Sequence, residues 1–372
     1  MGLVKKQPLK AISMKGRLST MKTKNDWRWQ LANSVRTWDP PGVDRDLADR
    51  VLDRFPMSVT PYYLSLMRAD DPGDPIHRMA FPHLDELAPS DSTVDDPIRE
   101  EDHAVLPGLV RRYPDRALLL VSGDCPVHCR HCTRRNMGKG KIVPARGEGL
   151  VRALAYIEDN PEIRDVIISG GDPLVLEDRD LVDILARARS IPSVEIIRIG
   201  TRVPVTLPMR ITESLARDIA RFGPVYVNTQ FNHPAEITEE ALAAVGCLVD
   251  AGVPVNNQAV LLAGVNDSPE IIEDLCRALM RARVRPYYIF MCDPVRGIGH
   301  FRVSLDLGIE IMAHLRGRIG GLGIPQLVID LPGGVGKIPV GPQYVIGHKE
   351  GKTILRAPNG TTVEYCEEKI KS

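Results

Sequence analysis

The sequence has no excess of either charge: Lys+Arg and Asp+Glu stand at 48 each over 372 residues. A protein built on phosphate backbones normally carries a basic surplus or patch, so the neutral balance argues against nucleic acid as the main partner. Long hydrophobic runs are missing as well. Stretches such as 117–121 and 259–263 fall far short of the ~18–20 apolar residues of a membrane span. The lysine-bearing segment 1–14 lacks the apolar h-region of a secretory signal. Cysteine is scarce too, at seven, which is too few for a secreted disulfide framework in a chain of this length. The expectation is a soluble cytoplasmic protein with no membrane partner. With 43% hydrophobic residues there is ample chain for a real core, either two or three units or one large barrel with additions.

Three regions differ in texture. Residues 1–108 read as helical and proline-punctuated. Asn25-Asp26 would cap a helix from Trp27 to Thr37, with Trp27, Leu31 and Val35 on one face, and 44–55 repeats the pattern. The polar, proline-rich stretch 70–99 reads as a surface connection. Within 109–330, short apolar runs at 117–122, 165–169, 194–200, 225–229, 255–261 and 285–291 alternate with amphipathic stretches at 149–158, 211–222, 238–251 and 268–284. Strands spaced by crossover helices imply a parallel sheet with right-handed connections. The fold class is α/β, a partial (βα)6-type TIM barrel with a helical N-terminal region; an open doubly wound sheet is the alternative. A last strand at 326–330 leads into the segment 331–372, which opens on a glycine-rich turn.

The strongest chemical signal is Cys125-Pro-Val-His-Cys129-Arg-His-Cys132, directly after the first strand of the alternation. Three thiolates can hold three irons of a 4Fe–4S cubane and leave the fourth iron open for a ligand. Structural zinc asks for four closed ligands, and His128 or His131 would have to be the fourth from within the same tight loop. A second signal, Gly333-Gly-Val-Gly-Lys337, has neither the Walker spacing nor the following Ser/Thr, so by itself it is a tight turn with a lysine. Ser169-Gly170-Gly171-Asp172 ends a strand, where barrel enzymes carry functional loops. Asp293 and Asp330 also follow strand ends; a lone aspartate there commonly caps a turn.

Taken together, residues 108–135, Ser169-Gly-Gly-Asp-Pro, Arg198-Ile-Gly-Thr-Arg202, the segment 228–238 (NTQFNHPAEIT) and the segment 330–340 (DLPGGVGKIPV) resemble the lysine 2,3-aminomutases of the radical S-adenosylmethionine superfamily. The resemblance runs from about 26 to 365. It implies a [4Fe–4S] cluster on Cys125, Cys129 and Cys132 and S-adenosyl-L-methionine against His131, Ser169, Gly170, Gly171 and Asp172. It also implies pyridoxal 5'-phosphate on Lys337 as a Schiff base, with Arg112 and Arg116 nearby. Arg134 would pair with the substrate carboxylate, and Asp293 and Asp330 with the distal ammonium of L-lysine. The partners implied are a small amino-acid substrate and an electron donor such as flavodoxin or ferredoxin, with homo-oligomerisation left open. The sequence also departs from the family. Ser268 stands where a partner's zinc-binding cysteine is expected and the tail holds Cys366 alone, which implies no structural zinc. Asp293-Pro-Val-Arg296 differs from the lysine enzymes, which makes arginine the competing substrate. A radical enzyme acting on tRNA or protein is the rival of another class, and the neutral charge counts against it.

Overall fold

In the computed structural model the described residues are 25–366 apart from 41, 69–70, 72, 91 and 136–142. Four short helices come first: α1 (Trp27–Ala32), α2 (Arg45–Arg54), α3 (Pro61–Ser65) and α4 (Pro75–Ala80). The strands β1 (Ala104–Leu106), β2 (Leu109–Tyr113) and β3 (Arg116–Ser122) follow, and then the alternation: α5 (Glu148–Asp159), β4 (Asp165–Gly170), α6 (Asp178–Ser190) and β5 (Ile196–Gly200). It continues through α7 (Val203–Thr206), α8 (Glu213–Ala220), β6 (Val225–Thr229), α9 (Glu239–Asp250), β7 (Val255–Leu261), α10 (Pro269–Arg281), β8 (Arg285–Met291), α11 (Leu305–Leu315) and β9 (Gln326–Leu331). The chain then turns back as β10 (Gly336–Val340) and ends in a separate antiparallel sheet of β11 (Val345–Lys349), β12 (Lys352–Arg356) and β13 (Thr362–Cys366).

The large sheet runs β1 to β10 in sequence order. Its pairs from β3 through β9 are all parallel, while β1, β2 and β10 are antiparallel additions at the two edges. Among the described residues no backbone ladder joins β1 to β10, so the partial barrel is confirmed and closure by hydrogen-bonded strands is not found. Side chains lace the seam instead: Tyr113 Oη accepts from the Lys337 N–H (3.1 Å), and Arg112 Nε donates to Gly334 O (2.9 Å). Along β7, Val255, Asn257, Ala259 and Leu261 are buried and their alternates half-buried, which is the period-2 signature of one face packed beneath helices. The half-buried set on β8 includes Tyr288 and Phe290, the rings that meet Lys337.

The helices start where the sequence supplies an oxygen for the free N–H groups of a first turn. Thr212 caps α8, Thr238 caps α9 and Ser268 caps α10, each accepting from the backbone N–H three residues on. Ser268 therefore has a local task here. Two expectations need correction. The first helix stops at Ala32, not Thr37, because Asn33 turns its amide back onto Trp29 O (2.9 Å) and Val35 leaves to form a β-bridge with Val59. The stretch 70–99 is not a surface connection, since Ile76, Met79, Ala80 and Glu86 within it are buried. Its polarity misled: Glu86 is polar because it neutralises buried arginines. Among the described residues, no helix is long and apolar enough to cross a membrane.

Candidate active site

The cysteine loop springs from the end of β3 and is clamped from two sides. On one side the backbone of Gly170 and Gly171 lies directly against it. A Cβ on Gly170 (φ +127°) would come within 2.3 Å of Ser122 O, and one on Gly171 within 2.4 Å of Asp124 O. Only glycine permits that approach, and it brings the Gly171 and Asp172 N–H groups onto Ser122 O and Asp124 O, each at 2.7 Å. On the other side the N-terminal region holds the loop through His128 N–H to Ser58 O (2.9 Å) and Arg130 N–H to Met79 O (2.8 Å). Glu86, fully buried, takes both Arg130 and Arg135. Burial opposes its ionisation, but the two guanidiniums outweigh that and hold its carboxyl below the usual range. Removing one partner of a buried ion pair strands the rest, at a cost of about 3–5 kcal/mol. Glu86→Ala should therefore lower the unfolding free energy by that order, read from denaturant midpoints at an unchanged slope.

Burial pushes the Cys125 and Cys132 thiols above the ordinary range, and neighbouring loop cysteines push each of them further. Such thiols ionise when a cation is brought to them, which is what an iron–sulfur cluster does with one thiolate per iron. Among the described residues, no group of three His, Cys, Asp or Glu side chains is arranged to close on a single metal ion. Beside Cys129 stands Arg202, Nη1 to Sγ 2.8 Å. The donor set, three thiols ringed by buried guanidiniums, fits a cluster. His131 lies in the same loop, 5% exposed and kept neutral chiefly by burial. The amides of Gln230 and Asn232 donate to its Nε2 at 3.0 and 3.3 Å, and its buried Nδ1 has no partner among the described residues.

Asp172 is committed to the protein. One carboxylate oxygen accepts from Thr201 Oγ1 (2.6 Å) and Leu174 N–H (3.0 Å), the other from Arg202 N–H (2.7 Å), while burial pushes the carboxyl up to about 6. Ser169 sits at the end of β4, paired with Leu120 of β3.

A second cluster of residues gathers at the seam. Lys337 and Asp330 face each other across the β9–β10 hairpin, Nζ to Oδ2 3.6 Å, with Nζ 4.0 Å from the centre of the Phe290 ring. Burial lowers the Lys337 pKa, against the pull of Asp330 and Asp293. Arg112 Nη1 donates to Asp330 (3.1 Å), and its buried Nη2 has no partner among the described residues. A half-desolvated lysine beside an uncommitted guanidinium nitrogen fits pyridoxal phosphate, whose carbonyl wants an amine and whose phosphate wants a donor. Asp293 lies across from them, where burial and then Asp330 push its carboxyl up to about 6. Thr133, next to Cys132, donates its hydroxyl to Asp293 at 3.0 Å and joins the two pockets. Arg134 extends between them, its Nε and Nη2 on Glu100 at 2.7 and 2.5 Å and its Nη1 3.4 Å from Gly170 O. Arg116 opens β3, pairs with Asp115 (2.9 Å) and stacks on Tyr113, whose hydroxyl accepts from the Lys337 N–H.

The chain matches the family model described as Lysine-2,3-aminomutase over residues 312–371 and that of the Radical SAM superfamily over 119–276. It is 44% identical over 350 residues to the L-lysine 2,3-aminomutase of Clostridium subterminale, covering 92% of this chain and 84% of that one. Against the Bacillus subtilis L-lysine 2,3-aminomutase the identity is 45% over 352 residues, covering 92% and 74%. The chain belongs to the lysine 2,3-aminomutase family. Membership in the wider radical S-adenosylmethionine superfamily carries with it a 4Fe–4S cluster and S-adenosylmethionine. The chain is also 38% identical to the glutamate 2,3-aminomutase of Clostridioides difficile, covering 92% of this chain and 83% of that one. Kinship alone therefore does not choose the substrate, and the charges of the pocket must.

Reading the sequence did not single out Glu86, Glu100, Arg202, Glu236 or Phe290. Arg202 and Glu236 lie inside motifs that carried the resemblance, yet nothing local marks them as neighbours of Cys129 and of each other.

Proposed function

We propose that the protein is an isomerase dependent on S-adenosylmethionine and pyridoxal phosphate that moves the α-amino group of L-lysine to its β-carbon, giving L-β-lysine. The observation that carries this reading is the union of the two pockets, with Thr133 beside Cys132 bound to Asp293 and Asp293 facing Asp330 and Lys337. When bound, the cluster with S-adenosylmethionine supplies a hydrogen-abstracting radical, and pyridoxal phosphate supplies a carbonyl for the substrate amine and a ring that spreads an unpaired electron.

The chain's own residues do the rest. Burial keeps a larger share of the Lys337 amine neutral than an exposed lysine would have, and only the neutral amine bonds to a carbonyl carbon. Arg112, whose Nη2 has no partner among the described residues, would offer that nitrogen to an anionic group beside Lys337. Arg134, held by Glu100 through Nε and Nη2, keeps the outer edge of its fork for a carboxylate. Phe290 and Tyr288 set their ring faces against the Lys337 amine and shield one side of it from water. The region 1–108 buttresses the cysteine loop, 109–330 forms the barrel and 331–372 brings the lysine. An electron-transfer protein of the cytoplasm would reduce the cluster.

The carboxylates select a cation. Asp293 accepts only the Thr133 hydroxyl on its side chain among the described residues, so it has capacity left for the distal ammonium. At an effective dielectric of ~20 a contact at ~4 Å is worth on the order of 4 kcal/mol before desolvation. That disfavours glutamate. Arg296, the departure that brought arginine forward, is half-buried and pairs with Asp95 at 2.9 Å. Anaerobic reconstitution followed by iron and sulfide analysis, and specificity constants for lysine, arginine and glutamate, test the reading. We expect iron, and lysine first; zinc without iron, or a preference for glutamate, would sink it.

A pH dependence follows. A carboxyl at about 6 is ionised above that pH and protonated below it, so its hold on a cation is lost as pH falls through about 6. The specificity constant for lysine should drop toward tenfold per unit below that point, since this parameter reports the free enzyme. Asp293→Asn should flatten that limb and raise KM for lysine about 10- to 100-fold, the value of a charge-assisted hydrogen bond.

A further inference from the structure

Arg202 stands just past the end of β5, with 8% exposure. Its backbone N–H is fixed by Asp172 (2.7 Å), and its guanidinium is spread over several partners. Nε donates to Gln230 O (3.2 Å), Nη2 to Tyr63 Oη (3.0 Å) and Glu236 Oε1 (2.5 Å), and Nη1 lies 2.8 Å from Cys129 Sγ. Glu236 is itself fully buried and tied down by the Tyr63 hydroxyl (2.7 Å) and the N–H groups of Asn232 (2.6 Å) and His233 (3.1 Å). The other arginines of the loop spend their strongest donors on carboxylates, Arg134 on Glu100 and Arg135 on Glu86. Arg202 also has a carboxylate but still points one nitrogen at a cluster cysteine.

We infer that Arg202 raises the reduction potential of the cluster held by Cys125, Cys129 and Cys132 by donating a charged hydrogen bond to the Cys129 sulfur, and that Glu236 tempers this effect. Reduction adds one electron to the cluster, so the reduced form carries one more negative charge. A buried cation at a ligand sulfur stabilises that form, and hydrogen bonds to the sulfurs are among the levers that set such potentials. Burial leaves the charge poorly screened. Glu236 lies at the far side of the same guanidinium, so its negative charge acts on the cluster with the opposite sign and from further away. Arg202 is thus a positioning and tuning residue, acting through Cys129. Because its backbone also anchors Asp172, it ties the loop at 169–172 to the cysteine it tunes.

The inference rests on the cluster reading of the site, and the test separates the two. The full chain is reconstituted anaerobically as wild type, Glu236→Gln and the double variant Glu236→Gln with Arg202→Met. Iron and sulfide are counted, and midpoint potentials are read from spin signals during redox titration. Glu236→Gln leaves the guanidinium unneutralised and should move the midpoint positive of wild type. Adding Arg202→Met removes the cation without stranding a buried carboxylate and should move it negative of Glu236→Gln. A structural role alone predicts no such reversal. Unmoved midpoints, shifts of one sign in both steps, or loss of the cluster from both variants overturns the inference while leaving the cluster reading intact. A wild type that takes up no iron overturns both.

Discussion

Replacing Cys129 by alanine should reduce 5'-deoxyadenosine formation from S-adenosylmethionine to background, and Cys125→Ala or Cys132→Ala should do the same. A cubane that keeps one iron open for a substrate ligand has three protein thiolates and no spare. The histidines of the loop are each held at one ring nitrogen by other groups. His131 has its Nε2 committed to Gln230 and Asn232, and His128 has its Nδ1 on Pro56 O at 3.1 Å. Cys292 follows β8, outside the loop, with its Sγ on Asp293 O at 3.9 Å. The fold should survive, because the loop is held by Glu86 and by the backbone of 58 and 79, none of which the substitution touches. The measurement is chemical reduction of reconstituted protein followed by quantitation of 5'-deoxyadenosine. Retained product from Cys129→Ala would refute the assignment of the loop.

Lys337→Ala should abolish both aminomutase turnover and the covalent label that borohydride reduction fixes in the presence of pyridoxal phosphate. Lysines differ in how readily they give up a proton, and that difference chooses among them. Lys337 is pulled down by burial and sits with Asp330, Phe290 and the uncommitted nitrogen of Arg112. Lys352 is exposed and bonded to Glu364 (2.6 Å), which raises its pKa and keeps it protonated. Lys349 lies on the exposed end of β11, and nothing in its surroundings resembles a cofactor pocket. Peptide mapping of the wild type should therefore find the label on Lys337, and the variant should carry none. Label on Lys349 or Lys352 would overturn the pocket.

What could be read in the chain follows the range of the forces involved. The strands at 225–229, 255–261 and 285–291 match the structure end to end, since a buried parallel strand between amphipathic helices writes its period into its own residues. The first helix was overextended because its apolar spacing continues past Asn33, and the bridge from Val35 to Val59 depends on a segment 24 residues away. The stretch 70–99 misled for the same reason, as its polar residues meet partners outside it. Arg116 pairs with its neighbour Asp115, whereas Arg112 finds Asp330 on a distant strand.

The sequence by itself determined that this is a parallel α/β protein with three clustered thiols after a strand and a lysine after a glycine-rich turn, because periodicity and ligand spacing are local properties of a chain. Only the tertiary structure decided how those parts become one site. Thr133 meets Asp293 across 160 residues, Arg112 meets Asp330 across 218, Arg134 meets Glu100 across 34 and Arg202 meets Cys129 across 73. A charge written in sequence has a sign and no address. Its partner is fixed by the burial that makes an unpaired charge costly, and burial exists only once the sheet has curled and the N-terminal helices have covered the loop.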